Sequence, residues 1–274
     1  MQDNHPDRSV LQQKQLFIFD MDGTVYLGSR VFPFAIRFIK NLRAHGKRIL
    51  FFTNNASHSP AFYLEKLTRL GFEPTREEIM TSGDVTIEFL LRHRAGKQVY
   101  LVGTPDLENS FRAAGIPLLT GDEVSADIVV TSFDTTLTYA KLDNACRFIR
   151  GGAEYLSTHP DFNCPTETGF IPDSGAIAAF VTASTSKVPV YFGKPYRETV
   201  DMICEATGFD KSQMVIFGDR LYTDIALGKR HGVTAVLVLS GETTAADVNA
   251  ASPADRPDLV FPSLDEVDLE MFGE

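Results

Sequence analysis

The chain has 274 residues, 43% of them hydrophobic, and a formal net charge of −10. That is enough for one large α/β domain or two modest ones with cores of their own, and an acidic chain without a basic stripe argues against a nucleic-acid binder. No segment approaches the ~20 consecutive apolar residues of a membrane helix. The start from Met1 to Gln15 is polar, with no apolar signal core, and Cys146, Cys164 and Cys204 are odd in number and not spaced as metal pairs. A reduced, cytoplasmic setting is therefore expected.

In chain order, Leu16-Phe17-Ile18-Phe19 is a short unbroken apolar run of the kind that forms a buried parallel strand. From Pro33 to Ala44 apolar residues fall at helical spacing, with proline in the first turn and Gly46 just past the end. Ile49 to Phe52 predicts a second strand. Ser59-Pro60 opens a helix carrying Leu64, Leu67 and Leu70 and ending at Gly71. Thr75-Arg76-Glu77-Glu78 has the form of a capping box for the next helix. Val99 to Val102 predicts a strand, Thr104-Pro105 a helix ending near Gly115, Ile128 to Val130 a strand, and 137–149 a helix. Tyr155 to Thr158 is strand-like, and Ser174 to Ser184 a helix of small and apolar residues. The last strands are Val190 to Phe192, Met214 to Phe217, Ala235 to Leu239 and Leu259 to Phe261, with helices between them. Such alternation predicts an α/β fold with mostly parallel sheets.

The chemistry gathers after four of these strands. Asp20-Met21-Asp22-Gly23-Thr24 follows the first, and ligands bind at the carboxyl ends of strands in open α/β sheets. In extended chain Asp20 and Asp22 share a face, and Gly23 permits a sharp turn. Two close carboxylates need compensation, which a hard cation such as Mg²⁺ supplies through oxygen ligands. The ordinary explanation, a polar turn capping a helix, is countered by the apolar strand directly before it. Thr53-Asn54-Asn55 ends the second strand and offers hydroxyl, amide and backbone donors suited to phosphate oxygens, though Asn also favours simple turns. Gly193-Lys194-Pro195 puts a point cation after a strand, where a surface lysine is the ordinary explanation. Asp219 and Asp224 follow the strand Met214 to Phe217, and Asp224 also suits the first turn of a helix. Each signal alone is modest. If the four strands are parallel neighbours, all of these groups meet at one edge.

Taken together, these residues resemble the haloacid dehalogenase (HAD) superfamily. Asp20-Met21-Asp22-Gly23-Thr24 matches its first motif, Thr53 its second, Lys194 its third, and Asp219 with Asp224 its fourth. About a hundred residues lie between the second and third motifs, which resembles the type with a C2 cap. Val25-Tyr26-Leu27-Gly28, Thr53-Asn54-Asn55, Thr166-Glu167-Thr168-Gly169 and Gly193-Lys194-Pro195 are similar to the NagD-like, p-nitrophenylphosphatase-like subfamily. The resemblance implies a Rossmann-like, doubly wound parallel core from 1–82 plus 187–274 and an inserted α/β cap of C2 type at 83–186. One departure stands at Ile171-Pro172-Asp173-Ser174-Gly175, where relatives often carry a small residue in place of Asp173.

The roles implied are those of a Mg²⁺-dependent phosphatase of small-molecule phosphomonoesters. Asp20 attacks phosphorus and forms an aspartyl-phosphate; Asp22 is the general acid and then the general base. The metal is held by Asp20, the Asp22 backbone carbonyl and Asp219, with Asp224 in support through water or by positioning Lys194. Thr53, the Asn54 backbone, Asn55 and Lys194 hold the phosphate. The loop from His159 to Gly175 is expected to select the leaving group, and the caps to pair in a homodimer. The partner is a small phosphorylated metabolite, with neither nucleic acid nor membrane. A phosphotransferase or mutase would use the same aspartates, and a catalytically silent phosphometabolite-binding protein would lack them. A dehalogenase would have no need of the second acid, Asp22.

Overall fold

The computed structural model describes residues 9–166 and 169–273; the first eight residues of the polar start, Glu167 and Thr168 of the Thr166–Gly169 motif, and Glu274 lie outside the described residues. The chain forms two compact units, Met1–Phe52 with Leu64–Ile79 and Ile203–Glu274, and Thr53–Tyr63 with Met80–Met202. The expected insertion at 83–186 falls inside the second unit, which also takes in 53–63, 80–82 and 187–202.

The first unit is built on a sheet in the order Leu259–Phe261, Thr234–Val238, Met214–Gly218, Leu16–Phe19, Arg48–Thr53, Ile79–Thr81. The first five strands pair in parallel. Their apolar runs are buried on both faces, as parallel strands between helix layers must be. Leu16–Phe19 lies between a strand that follows it early in the chain and one that returns late, which makes it a topological switch point, the place where such sheets open a crevice.

Phe17 and Phe19 share a face of this strand because side chains alternate. Phe19 stacks on Phe217 at 5.0 Å, and Phe38 meets both rings edge-on at 5.9 Å. Phe38 comes from the helix Pro33–Ala44, which buries Ala35, Phe38, Ile39 and Leu42 at helical spacing. The same helix is tied to the C-terminal helix Leu264–Phe272: buried Asp268 accepts from Arg37 Nε at 2.7 Å and from Asn41 Nδ2 at 2.8 Å. This aromatic core lies beneath the residues that follow the first and fourth of these strands in the chain, Asp20 and Asp219.

The second unit carries a four-stranded parallel sheet in the order Val190–Tyr191, Glu154–Ser157, Ile128–Thr131, Val99–Val102. Helices Tyr139–Arg150 and Ser174–Thr185 cover it, packing Leu142, Cys146, Phe148, Ile177 and Val181 against Tyr100, Val129 and Tyr155. The three cysteines form no disulfide. No helix among the described residues is long and apolar enough to cross a membrane.

Three sequence expectations are corrected. Val190–Tyr191 joins the four-stranded sheet of the second unit at its edge, so Lys194 does not follow a neighbour of the first strand. A two-residue edge strand pairs wherever its backbone meets a free edge, and its apolar pattern does not say which sheet that is. The capping box at Thr75 is present but closes a single 3₁₀ turn, Arg76–Glu78; the strand Ile79–Thr81 follows, and the helix Ser82–His93 starts from its own box of Thr81 and Asp84. The stretch from His159 to Gly175 is not wholly loop: Asn163–Thr166 and Gly169–Pro172 pair as an exposed antiparallel hairpin.

Candidate active site

In the first unit the acidic turn begins where the strand Leu16–Phe19 stops. The Asp20 N–H still donates to Phe217 O at 2.9 Å, so its backbone is pinned to the neighbouring strand. The chain then reverses, with Val25 N–H bonded to Met21 O at 3.0 Å and Gly23 N–H to Tyr26 O at 2.7 Å. Gly23 has φ +87°, and a Cβ there would stand 2.3 Å from Asp219 Oδ2. Glycine is thus needed twice, for conformation and for room.

Asp219 is buried and cradled from a second side. A Cβ on Gly241 would lie 2.0 Å from Asp219 Oδ2, and the Glu242 N–H donates to that oxygen at 2.7 Å. Ser240 Oγ donates to Gly23 O at 2.8 Å, which joins the two cradles. Asp224 lies in a π-helical turn, Leu221–Ile225, that leads into the helix Ala226–His231; the Ile225 N–H reaches back to Arg220 O at 3.2 Å. Such turns recur at functional sites. Thr223 Oγ1 donates to Asp224 Oδ2 at 3.1 Å, and a Cβ on Gly218 would stand 2.2 Å from Asp224 Cβ.

These elements bring Asp20, Asp219 and Asp224 together: one carboxylate oxygen from each lies within 4.8 Å of the others. Asp20 is half-buried, and Asp219 and Asp224 are buried. At that spacing each ionised pair repels by about 3 kcal/mol or more at an effective dielectric of about 20. Arg220 supplies one nearby positive charge. Burial opposes its charge, yet Tyr222, Asp20, Asp219 and Glu242 outweigh burial and raise its pKa. Three hard oxygen donors in a glycine-lined cradle fit a divalent cation of the Mg²⁺ or Ca²⁺ class. Asp22 presents its side chain to solvent outside this group, where its Oδ1 accepts from Gly28 N at 3.4 Å. Lys66 lies over the Tyr26 ring at 4.0 Å; burial lowers its pKa, and Asp22 pulls it back up.

The expected phosphate-binding residues lie in the second unit, and the structure joins them to one another. The Asn54 carboxamide donates through Nδ2 to Lys194 O at 2.9 Å and accepts through Oδ1 from Lys194 N at 2.7 Å. Nδ2 also donates to Asp161 Oδ2 at 3.1 Å. The Asn54 side chain is therefore a clamp between two loops, and the donors it was expected to offer a phosphate reduce to its backbone. Asn55 likewise uses its Oδ1 on Ser57 N at 2.9 Å and Ser57 Oγ at 2.7 Å, while its N–H donates to Thr53 Oγ1 at 3.2 Å. Lys194 is buried, and Gly193 before it has φ +74° with its missing Cβ facing His159 Cβ at 2.7 Å.

Residues 17–117 match the family described as haloacid dehalogenase-like hydrolase, and residues 191–267 match a family described as HAD-hydrolase-like. An acid sugar phosphatase of Staphylococcus saprophyticus is 33% identical over 261 residues, covering 95% of this chain and 99% of its own. The chain belongs to the haloacid dehalogenase-like hydrolase family. Among solved structures, a 4-nitrophenylphosphatase from Thermotoga maritima has 41% identity and a TM-score of 0.89 over 96% of this chain and 99% of that one. A glycerol phosphate phosphatase from Mycobacterium tuberculosis, solved with magnesium, has 31% identity and a TM-score of 0.84 over 93% of this chain and 76% of that one. A protein titled putative nagD protein has 39% identity and a TM-score of 0.86 over 94% of this chain and 98% of that one. The NagD-like branch of the HAD family, with its parallel core and cap, is thereby established for this chain.

Sequence reasoning missed Arg220 and the segment Ser240–Thr243. Arg220 was within reach, because it stands beside Asp219 in the same motif. The segment was not: Glu242 and Thr243 hold Asp219 through backbone N–H groups, which any residue but proline supplies.

Proposed function

We propose that this HAD-family phosphatase hydrolyses a small phosphomonoester through an aspartyl-phosphate on Asp20. The observation that carries the reading is the convergence of Asp20, Asp219 and Asp224 at the carboxyl ends of two adjacent parallel strands, at the switch point of the sheet.

Asp20 is the nucleophile: one of its carboxylate oxygens forms the P–O bond as the bond to the leaving alkoxide breaks. Asp22 gives the leaving oxygen a proton, then removes one from the water that attacks the acyl phosphate, which returns both carboxyls to their starting states. The exposure of the Asp22 side chain suits a group that must meet both leaving group and water. Mg²⁺ held by Asp20, the Asp22 backbone carbonyl and Asp219, with Asp224 in support, would neutralise charge on the transferring phosphoryl oxygens. Thr53, the Asn54 backbone and Lys194 hold those oxygens in this reading, while the Asn55 N–H is taken by Thr53 Oγ1. The names of the relatives make sugar and polyol phosphates the first class to test.

The test is hydrolysis of p-nitrophenyl phosphate with and without EDTA. Activity should vanish with EDTA and return with added Mg²⁺. Activity that survives EDTA would remove the metal from the reading, and unimpaired turnover by Asp20→Asn would remove the nucleophile. A panel of phosphorylated sugars and polyols then ranks the substrates.

A further inference from the structure

A second buried cluster lies wholly within the second unit. His159, Asp161 and Asp173 each bring a polar atom within 4.8 Å of the others. His159 is fully buried, and its Nε2 lies 2.8 Å from Asp173 Oδ1. Its Nδ1 lies 3.0 Å from Thr158 Oγ1 and 3.3 Å from Ser82 Oγ.

The hydrogen bonds around the ring favour its charged form. A hydroxyl has one proton to donate. Ser82 donates its proton to Asn54 O, and Thr158 donates its own to Ser132 Oγ at 2.9 Å. Both hydroxyls therefore face Nδ1 as acceptors, so Nδ1 carries a proton. Nε2 faces a carboxylate, which as an acceptor also calls for a proton. With acceptors on both sides, these surroundings stabilise the imidazolium form. Burial alone would lower its pKa, but the charge and hydrogen bond of Asp173, and the charge of Asp161, raise it instead.

The ring stands between the helix that begins at Ser174 and the loop that ends in Asn54. Asp173 accepts from Ser174 N at 2.6 Å and caps that helix. Gly175 N–H donates to Asp161 O at 2.8 Å, and Asp161 Oδ2 takes Asn54 Nδ2. Two routes thus lead from the helix start to Asn54, through Asp173, His159 and Ser82 and through Asp161. Asn54 in turn grips both backbone polar groups of Lys194.

We propose that the His159–Asp173 pair is a positioning device: a buried cation that fixes Ser82 and, through it, the Asn54 clamp that sets where the Lys194 main chain lies. The inference rests on the reading that Thr53, Asn54 and Lys194 bind phosphate. It makes His159 a positioning residue, one that acts through Asn54. It also explains why Asp173, at the foot of an exposed hairpin, is itself buried: its carboxylate is committed to the ring and the helix cap.

The full chain carrying His159→Gln, Asp173→Asn or both would be assayed with p-nitrophenyl phosphate, with inorganic phosphate as competitive probe and the melting temperature recorded alongside. Each single variant should raise the phosphate inhibition constant and KM by about tenfold, the scale of one lost charge-assisted hydrogen bond. The double variant should be no worse than the poorer single one, since the two groups act as a unit. His159→Lys, which keeps a cation, should recover part of the loss. Variants that melt earlier but bind phosphate as the parent does would overturn the proposal, because the pair would then serve stability alone. Lys194→Ala is the control: if it weakens phosphate and the His159 variants do not, positioning by His159 fails; if it too leaves phosphate binding unchanged, the phosphate assignment falls and the proposal with it. Should His159→Gln fail to fold, Asp173→Asn supplies the same readings.

Discussion

The two groups of converging carboxylates are built on opposite principles. Asp161 and Asp173 lie around a histidine of their own unit, and the hydrogen bonds of the ring close within that unit. Asp20, Asp219 and Asp224 bring three carboxylates together, with the guanidinium of Arg220 as the nearby cation from their own unit. The first arrangement is neutralised from within and rigid, which suits a scaffold. The second concentrates negative charge at a sheet switch point, which suits a site that gains its balance from a bound cation. Burial is common to both, so the charge partner is what separates support from chemistry.

Four measurements would break or sharpen that contrast. The largest effect is expected from Asp20→Asn, which should lower kcat by about 10⁴-fold or more with an unchanged circular dichroism spectrum. Next comes the aromatic layer beneath the acidic site: Phe19→Ala should cost about 3–5 kcal/mol in denaturant unfolding, since the ring stacks on Phe217 at 5.0 Å and is fully buried. A cost under about 1 kcal/mol would mean that the layer does not support the site. Gly241→Ala is smaller and sharper. The new methyl would stand 2.0 Å from Asp219 Oδ2 and 2.6 Å from Asp219 Cβ, so the carboxylate must turn and the backbone around it must shift as well. Activity should fall by about 10²-fold, as small misplacements at reacting groups do, with a loss of stability of about 1–3 kcal/mol from the overpacking. Normal kinetics would show that Asp219 needs no fixed orientation.

The smallest effect is a pH dependence in the scaffold. The His159 pKa is raised on folding, so its stabilisation is complete below the ordinary histidine value of about 6.5 and is lost as pH rises through the folded value. The gap in melting temperature between the parent and His159→Gln should therefore narrow as the pH is raised. A gap that stays constant would mean the ring is neutral throughout.

Much of this was legible in the chain. Unbroken apolar runs marked the buried strands, and turn residues marked their ends. Asp20, Asp219 and Asp224 stood out because each is an acid soon after such a run. The Thr75 box misled because a capping box specifies a first turn and leaves open how far the helix runs. The fate of Val190–Tyr191 and the exposed hairpin Asn163–Pro172 stayed hidden for a related reason: short edge strands take their identity from the partner they meet.

The sequence by itself determined the buried strands, most of the helices and the family, and it set acids just after two of those strands, because apolar periodicity and acidic turns are local properties of the chain. Only the tertiary structure decided that Asn54 is a clamp, that His159 is buried against Asp173 and that Gly241 shapes Asp219. Each of those depends on groups far apart in sequence meeting at hydrogen-bond or van der Waals distance. Backbone donors and absent side chains carry no signature until the fold places something beside them.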